Sequence, residues 1–370
     1  MSILIFLLIL SVLVLVHELG HFIAAKKNGI LVEEFGIGFP PRLFGIKTKE
    51  TLYSINLIPL GGFVKLYGEE YDQIIQNSKF TLRIGGQNDL KKSKKLIGKA
   101  FVYKNPWQKI LVIIAGVIGN FLLGWVLISY LFTQGVPTPA NKVIIEKVAD
   151  KSPAKTANLR PKDAIYALKV DNKSYPIKTS TDLITLTKKY AGEKIVLYVE
   201  RGHKKLQTTI IPRKNPPKNE GPLGITITSF VEKKYRWYQA PYYGLIHAAS
   251  ITQKIISELV KTLIQLLTFQ KPSIDVAGPI GIAYFTSEVV KFGKNAVLEL
   301  MALLSLNLAI VNLLPFPALD GGRLMFVLYE VVTKKPINKN LEKYLNLFGF
   351  IFLITLAILV SINDIFKIYR

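Results

Sequence analysis

Ile3-Leu4-Ile5-Phe6-Leu7-Leu8-Ile9-Leu10-Ser11-Val12-Leu13-Val14-Leu15-Val16 runs without a charge straight into His17-Glu18-Leu19-Gly20-His21. An apolar helix of about 20 residues is long enough to cross a bilayer. HExxH on such a helix puts two imidazoles one turn apart, roughly 40° from each other around the axis, so both can bind one zinc ion. Glu18 between them is placed to take a proton from water. Ionisable groups are costly in an apolar span and mark function there, so HELGH reads as a metal pair rather than a chance match. The chain has no cysteine, which excludes disulfides and thiolate ligands and leaves any zinc to His and carboxylate.

Half of the 370 residues are hydrophobic and 20% are charged, a mixture that predicts membrane spans joined to polar domains. The formal charge of +23 brings nucleic acid to mind, but the basic residues are scattered and no nucleic-acid fingerprint is present. Attraction to anionic headgroups of a lipid bilayer explains the excess, and nucleic acid is not expected as a partner. The N-terminal run has no basic n-region or small-residue cleavage site and continues to Ala25, so it reads as a retained span.

Hydropathy predicts four transmembrane helices, at residues 3–25, 110–132, 297–319 and 345–362. A further stretch, 242–269, places His247, Lys254, Glu258, Lys261 and Gln265 on one helical face and reads as an amphipathic helix on the membrane surface. Lys26, Lys27, Lys99, Lys104 and Lys109 flank the first two spans on one side, and Arg323, Lys334, Lys335, Lys339 and Lys343 lie between the last two. The positive-inside bias therefore puts loops 26–109 and 320–344 in the cytoplasm and 133–296 outside. Lys367 and Arg370 after the last span run against that bias.

Within the outer segment, 143–148, 164–170, 194–200 and 206–211 read as strands and 181–190 as a helix. Val148–Ala154 followed by Leu159–Ile165 resembles the PDZ pattern of bacterial proteases, with Asn158 and Lys162 where that pattern has glycines. One PDZ domain is expected over 141–213, with 214–296 as linker and surface helix. In the cytoplasmic loop, two short strands around Pro59-Leu60-Gly61-Gly62 predict a membrane-associated β-hairpin at about 51–67, and the run Lys91-Lys92-Ser93-Lys94-Lys95 reads as a solvated surface segment.

Two histidines leave a hydrolytic zinc site one protein ligand short, because such sites use three and keep the fourth position for water. Asp320, in Asn312-Leu313-Leu314-Pro315-Phe316-Pro317-Ala318-Leu319-Asp320-Gly321-Gly322, is the best remaining candidate. It is expected at the cytoplasmic end of the third span, the depth at which HELGH lies. His203 and His247 belong to the outer side.

HELGH, Ala115-Gly116-Val117-Ile118-Gly119-Asn120-Phe121, the PDZ-like stretch and NLLPFPALDGG together resemble the site-2 protease family, and within it the bacterial sigma-E regulator protease branch. Gly36–Leu43 (GIGFPPRL), Pro59–Val64 and Val276–Ile282 extend the resemblance over nearly the whole chain, in the family's order. Val117 stands where the family commonly has proline, and one PDZ domain is visible where the enterobacterial form has two.

The resemblance implies a polytopic α-helical membrane protein with four transmembrane helices, a β-hairpin and one extracytoplasmic α+β PDZ domain. It implies one zinc ion held by His17, His21 and Asp320, with Glu18 as general base. Asn307 and Asn312 would hold the substrate's extended backbone, although hydrogen bonds between packed helices are an equal reading of both. Gly61, Gly62 and Phe63 would present a strand edge to the substrate. The implied activity is intramembrane endoproteolysis of single-span proteins in the bacterial inner membrane: anti-sigma factors already trimmed by an upstream site-1 type protease, and signal peptide remnants. The active site would lie toward the cytoplasm, with the PDZ domain outside as a filter against bulky substrates. The alternative is a non-catalytic scaffold or chaperone that binds membrane spans.

Overall fold

The computed structural model describes residues 2–69, 96–171, 173–202, 204–217, 220–268, 270, 277–335 and 337–368. The lysine run 91–95, His203 and Val276 lie outside the described residues. In chain order the elements are α1 (Ser2–Lys27), β1 (Val32–Thr48), β2 (Thr51–Leu66), a 3-10 turn at Phe101–Tyr103, α2 (Pro106–Gln134), β3 (Val136–Val148), α3 (Pro153–Thr156), β4 (Ala164–Val170) and β5 (Lys173–Pro176). There follow α4 (Ser180–Lys189), β6 (Ile195–Arg201), β7 (Lys204–Ile210), β8 (Ile225–Lys233), α5 (Ala240–Leu267), α6 (Pro279–Val290), α7 (Lys294–Leu313), α8 (Asp320–Thr333) and α9 (Lys339–Ile368). The chain divides into two compact units, Met1–Leu131 with Trp237–Arg370, and Phe132–Arg236.

In the first unit α1, α2, α7 and α9 are long and apolar enough to cross a membrane. The third of these ends at Leu313, six residues short of the expected boundary at 319. The reason is Pro315 and Pro317: proline drives the residue before it out of the α region, and Leu314 turns extended at ψ 140°. The chain then starts a new helix, so Asp320 opens α8 instead of ending the span, and most of the expected loop 320–344 is helical. Gly321 and Gly322 are required at this corner. A Cβ on Gly321 would lie 2.1 Å from the Leu314 carbonyl oxygen, and one on Gly322 would lie 2.3 Å from that of Phe316.

The expected hairpin is also redrawn. Its tight turn is Lys49-Glu50, with Lys49 in the left-handed region at φ 55°, and Pro59–Gly62 lies inside β2. Both strands bend, so residues 32–39 pair with 51–58 on one side and with 62–66 on the other, while 42–48 pair with the far side of 51–58. The result is a four-segment sheet of mixed direction, with 32–39 antiparallel to 62–66 but parallel to 51–58, and 42–48 antiparallel to 51–58. Among the described residues, 62–66 form one of its edges. Glycine at 61, φ 81°, lets this edge pass against α1, since a Cβ there would lie 2.8 Å from Val14 Cγ1.

Elsewhere in the unit, Asp364 on α9 is buried, and its Oδ2 accepts the N–H groups of Gly278 at 2.9 Å and Gly281 at 2.8 Å. A carboxylate thus caps the N-terminus of α6, where the helix dipole favours negative charge.

The second unit is a sheet in the order β7-β6-β4-β3-β8, with β5 continuing alongside β4. Ile195, Leu197 and Val199 of β6 point to one face and are buried with Val143, Ile145, Ile165, Leu168 and Leu183, the period-2 pattern of a half-covered strand. Thr179 and Asp182 close α4 with a capping box. Asn158 and Lys162 take the left-handed backbone at φ 55° and 73° that glycine would favour there. The unit is larger than the expected 141–213, because β3 begins at Val136 and β8 pairs along it. Residues 214–296 are therefore more than a linker and a surface helix, here α5: they also supply β8 and α6.

Asp163 is fully buried and accepts the Arg160 N–H at 2.8 Å. Arg201 grips the same carboxylate with Nε at 2.7 Å and Nη2 at 2.8 Å. Removing one member of a buried pair costs about 3–5 kcal/mol. Because Arg201 keeps 32% side-chain exposure, Asp163→Ala is expected to cost about 3 kcal/mol, the lower end of that range. Hydrogen exchange on the detergent-solubilised chain checks this: amides of β4 and β6 should lose protection while those of α1 and α2 keep theirs.

Candidate metal centre

The HELGH turn lies in the C-terminal half of α1 against the first half of α2. The approach is set by glycine: a Cβ on Gly20 would stand 2.2 Å from the Ala115 carbonyl oxygen, and one on Gly119 2.9 Å from that of Val16. Gly116 faces the imidazoles, and a Cβ there would fall 2.4 Å from His21 Nε2 and 2.7 Å from His17 Cε1. Small residues admitting close backbones are the general device by which membrane helices associate.

The corner at Leu314–Leu319 delivers Asp320 to the same point. Its Oδ2 lies 2.9 Å from His17 Nε2 and 3.2 Å from His21 Nε2, and the two Nε2 atoms are 3.1 Å apart. These three residues could hold one metal ion. Two imidazoles and a carboxylate on a tetrahedral zinc with bonds near 2.05 Å sit roughly 3.3 Å from one another, so the donor atoms have close to the spacing that zinc needs. The carboxylate is also held ionised. Burial alone would raise the Asp320 pKa, but the neighbouring imidazoles of His17 and His21 more than offset it and bring the pKa below the usual carboxylate range.

The outer ring nitrogens decide which tautomer each histidine takes. His21 Nδ1 donates to the Val112 carbonyl at 2.8 Å, leaving Nε2 with its lone pair. His17 Nδ1 meets the Asn120 side-chain amide at 3.3 Å, and Asn120 Oδ1 is buried without a partner. The two ends of an amide are interchangeable by a flip. With Oδ1 turned toward His17 it accepts the Nδ1 proton, the arrangement that frees Nε2 for a metal. Ser305 Oγ on α7 steadies this region by donating to the Asn120 backbone carbonyl at 2.8 Å.

Glu18 is half-buried between the histidines, and the Val64 backbone N–H donates to its carboxylate. Val64 belongs to the sheet edge 62–66, so this edge looks into the site. A cavity of about 280 Å³ opens here, lined by Glu18, His21 and Asp320 and by Phe63, Val64 and Leu66 of β2.

Asn312 reaches the cluster, its Nδ2 lying 3.3 Å from His17 Nε2. Asn307 does not: five residues earlier on α7, it points roughly 140° away around the axis. Of Gly61, Gly62 and Phe63, Phe63 alone lines the cavity, and the glycines pack against α1 and Gly36. The sequence alone assigns no role to Asn120, Gly116 or the Val112 carbonyl, whereas Ser305 marks the third span as protein-facing, as its burial bears out. Asn120 and Gly116 stood in a quoted motif, but only the folded contact shows what they touch.

Residues 5–356 match the model of Peptidase family M50. The chain belongs to this family, the site-2 proteases. Zinc metalloprotease RasP of Bacillus licheniformis is 31% identical over 98% of both chains. The regulator of sigma-W protease RasP of Bacillus subtilis is 30% identical over 98% of both, and zinc metalloprotease RasP of Shouchella clausii is 31% identical over 100% of this chain and 99% of its own. As a member of the M50 family the protein is a zinc-dependent metalloendopeptidase and a multi-pass membrane protein.

Gly116 gives this M50 protease its sharpest steric test. Gly116→Ala inserts a methyl where the imidazoles converge and should lower zinc affinity about 10–100-fold, as loss of a supporting contact does elsewhere. The check is zinc per chain by elemental analysis after dialysis. Helical circular dichroism should stay at the wild-type level.

Proposed function

We propose that the protein is an intramembrane endoprotease in which His17, His21 and Asp320 hold the zinc and Glu18 is the general base. The observation that carries this reading is the convergence of those donor atoms beside Glu18, in a cavity that shares its wall with an open sheet edge. A zinc ion bound by His17, His21 and Asp320 would supply Lewis acidity to a peptide carbonyl and would make water nucleophilic near neutral pH. Glu18 takes the proton of the attacking water and passes it to the leaving amine nitrogen. Asn312 is close enough to donate to the substrate's carbonyl oxygen. A helical substrate hides its carbonyls in i→i+4 bonds and has to unwind locally. The edge at 62–66 offers replacement backbone partners by strand addition.

The substrates are single-span membrane proteins. A relative named regulator of sigma-W protease supports anti-sigma factors trimmed by an upstream protease as one class, with signal peptide remnants as another. The lysine bias around the spans supports an active site toward the cytoplasm. The unit Phe132–Arg236, whose sequence resembles a PDZ domain, then lies outside and excludes substrates with bulky outer portions. Helix α5 keeps Lys254, Glu258 and Lys261 on its polar side and exposes Ile256, Val260, Leu263 and Ile264, as a helix resting in the membrane interface does.

Glu18→Gln should keep zinc while cleavage of a model span in detergent drops about 10²–10⁴-fold, the usual worth of a general base. Cleavage near the wild-type rate would exclude Glu18 and leave the scaffold alternative standing. Deleting 132–236 should allow cleavage of an untrimmed substrate by the membrane-embedded remainder. Continued dependence on trimming would remove the filter from the mechanism.

A further inference from the structure

Glu69 follows β2 directly, three residues past Leu66, and it forms an ion pair with Arg323 on α8, three residues past Asp320. Both line the catalytic cavity. We infer that Glu69 and Arg323 form an exchangeable charge clamp at the cavity rim, in which a Lys or Arg of the substrate flanking its span replaces Arg323 on Glu69. The inference rests on the proteolytic reading above and adds a specificity determinant to it.

Four observations carry it. Among the described residues lining the cavity, Arg323 is the single cation against three carboxylates, Glu18, Asp320 and Glu69. Asp320 is engaged by the histidine pair and Glu18 by the Val64 N–H, which leaves Glu69 as the carboxylate free to receive an incoming cation once Arg323 moves. The Arg323 side chain is 52% exposed and that of Glu69 25%, and a pair open to solvent on its cation side is weaker than a buried one, which favours exchange. Arg323 also has Glu342 as an electrostatic neighbour, which itself feels Glu330 and Lys109. A released guanidinium therefore keeps an acidic surrounding.

Substrate chemistry fits the exchange. Single-span proteins concentrate Lys and Arg at the cytoplasmic ends of their spans, so a carboxylate at this rim meets the commonest flanking charge. A strand advances about 3.3 Å per residue. A substrate segment paired along 62–66, with its scissile bond near Glu18, brings a flanking cation to Glu69 within about five residues of that bond.

The test uses the full-length zinc-loaded chain in detergent and three model spans that carry Lys, Gln or Glu within five residues of the cleavage point. Wild type should show a KM for the Lys flank about fivefold below that for Gln, the upper end of what a solvent-exposed ion pair contributes. In Glu69→Gln the Lys-flank KM should rise to the Gln-flank value with zinc content as in wild type. Arg323→Gln, which uncovers Glu69 in place, should widen the Lys preference. Glu69→Lys combined with Arg323→Glu should shift the preference to the Glu flank. A Lys preference that survives Glu69→Gln, or a KM rise equal for all three flanks, would overturn the clamp and leave the pair as a brace. Flat flank dependence with normal cleavage overturns this inference alone. No cleavage of any span by the zinc-loaded wild type overturns the proteolytic reading with it.

Discussion

The approach of α1 to α2 through Gly20, Gly116 and Gly119 is the constraint on which the rest hangs. Lipid tails are as apolar as leucine, so these helices gain little from hiding hydrocarbon from one another, and van der Waals fit has to hold them. That fit is so close that a Cβ on Gly20 would sit 2.2 Å from a carbonyl oxygen. The same closeness brings the Val112 carbonyl within reach of His21 and Asn120 within reach of His17. Packing and tautomer selection are one event here: a wider gap would loosen the helices and free both rings to turn.

The third member of the cluster arrives by a different route. A continuous helix through residue 320 would carry Asp320 about 10 Å beyond Leu313 along the axis, at 1.5 Å per residue. Pro315 and Pro317 stop that advance, and Gly321 and Gly322 let the new helix fold back on the loop that precedes it. The position of Asp320 is thus fixed by a break, and the break is affordable where protein rather than lipid surrounds the loose carbonyls.

Much of this is legible in the sequence, and what is not has physical causes. HELGH and Asp320 announce themselves because charge in an apolar stretch has few uses. The four spans follow from hydropathy alone. Hydropathy puts the end of α7 too late because it does not register a proline break when apolar residues continue through it. Pro59-Leu60-Gly61-Gly62 carries every turn signal, yet its glycine serves a close pass against Val14, while the real turn falls on Lys49-Glu50, two residues with no turn preference. Strand β8 was overlooked although Ile225-Thr226-Ile227-Thr228 alternates as a strand should; the proline-rich stretch before it suggested a linker. Asn120 could not be singled out, because its role exists only across two helices.

Asp364 carries a consequence of its own. It is a carboxylate buried on a long apolar helix, satisfied by two amides from a segment more than 80 residues earlier. Sliding α9 by one turn, 5.4 Å, would strip those amides away and leave a buried polar group without partners in a medium that solvates it poorly. The last helix is therefore indexed: its hydrophobic faces alone would tolerate many registers, and one acidic side chain reduces them to one.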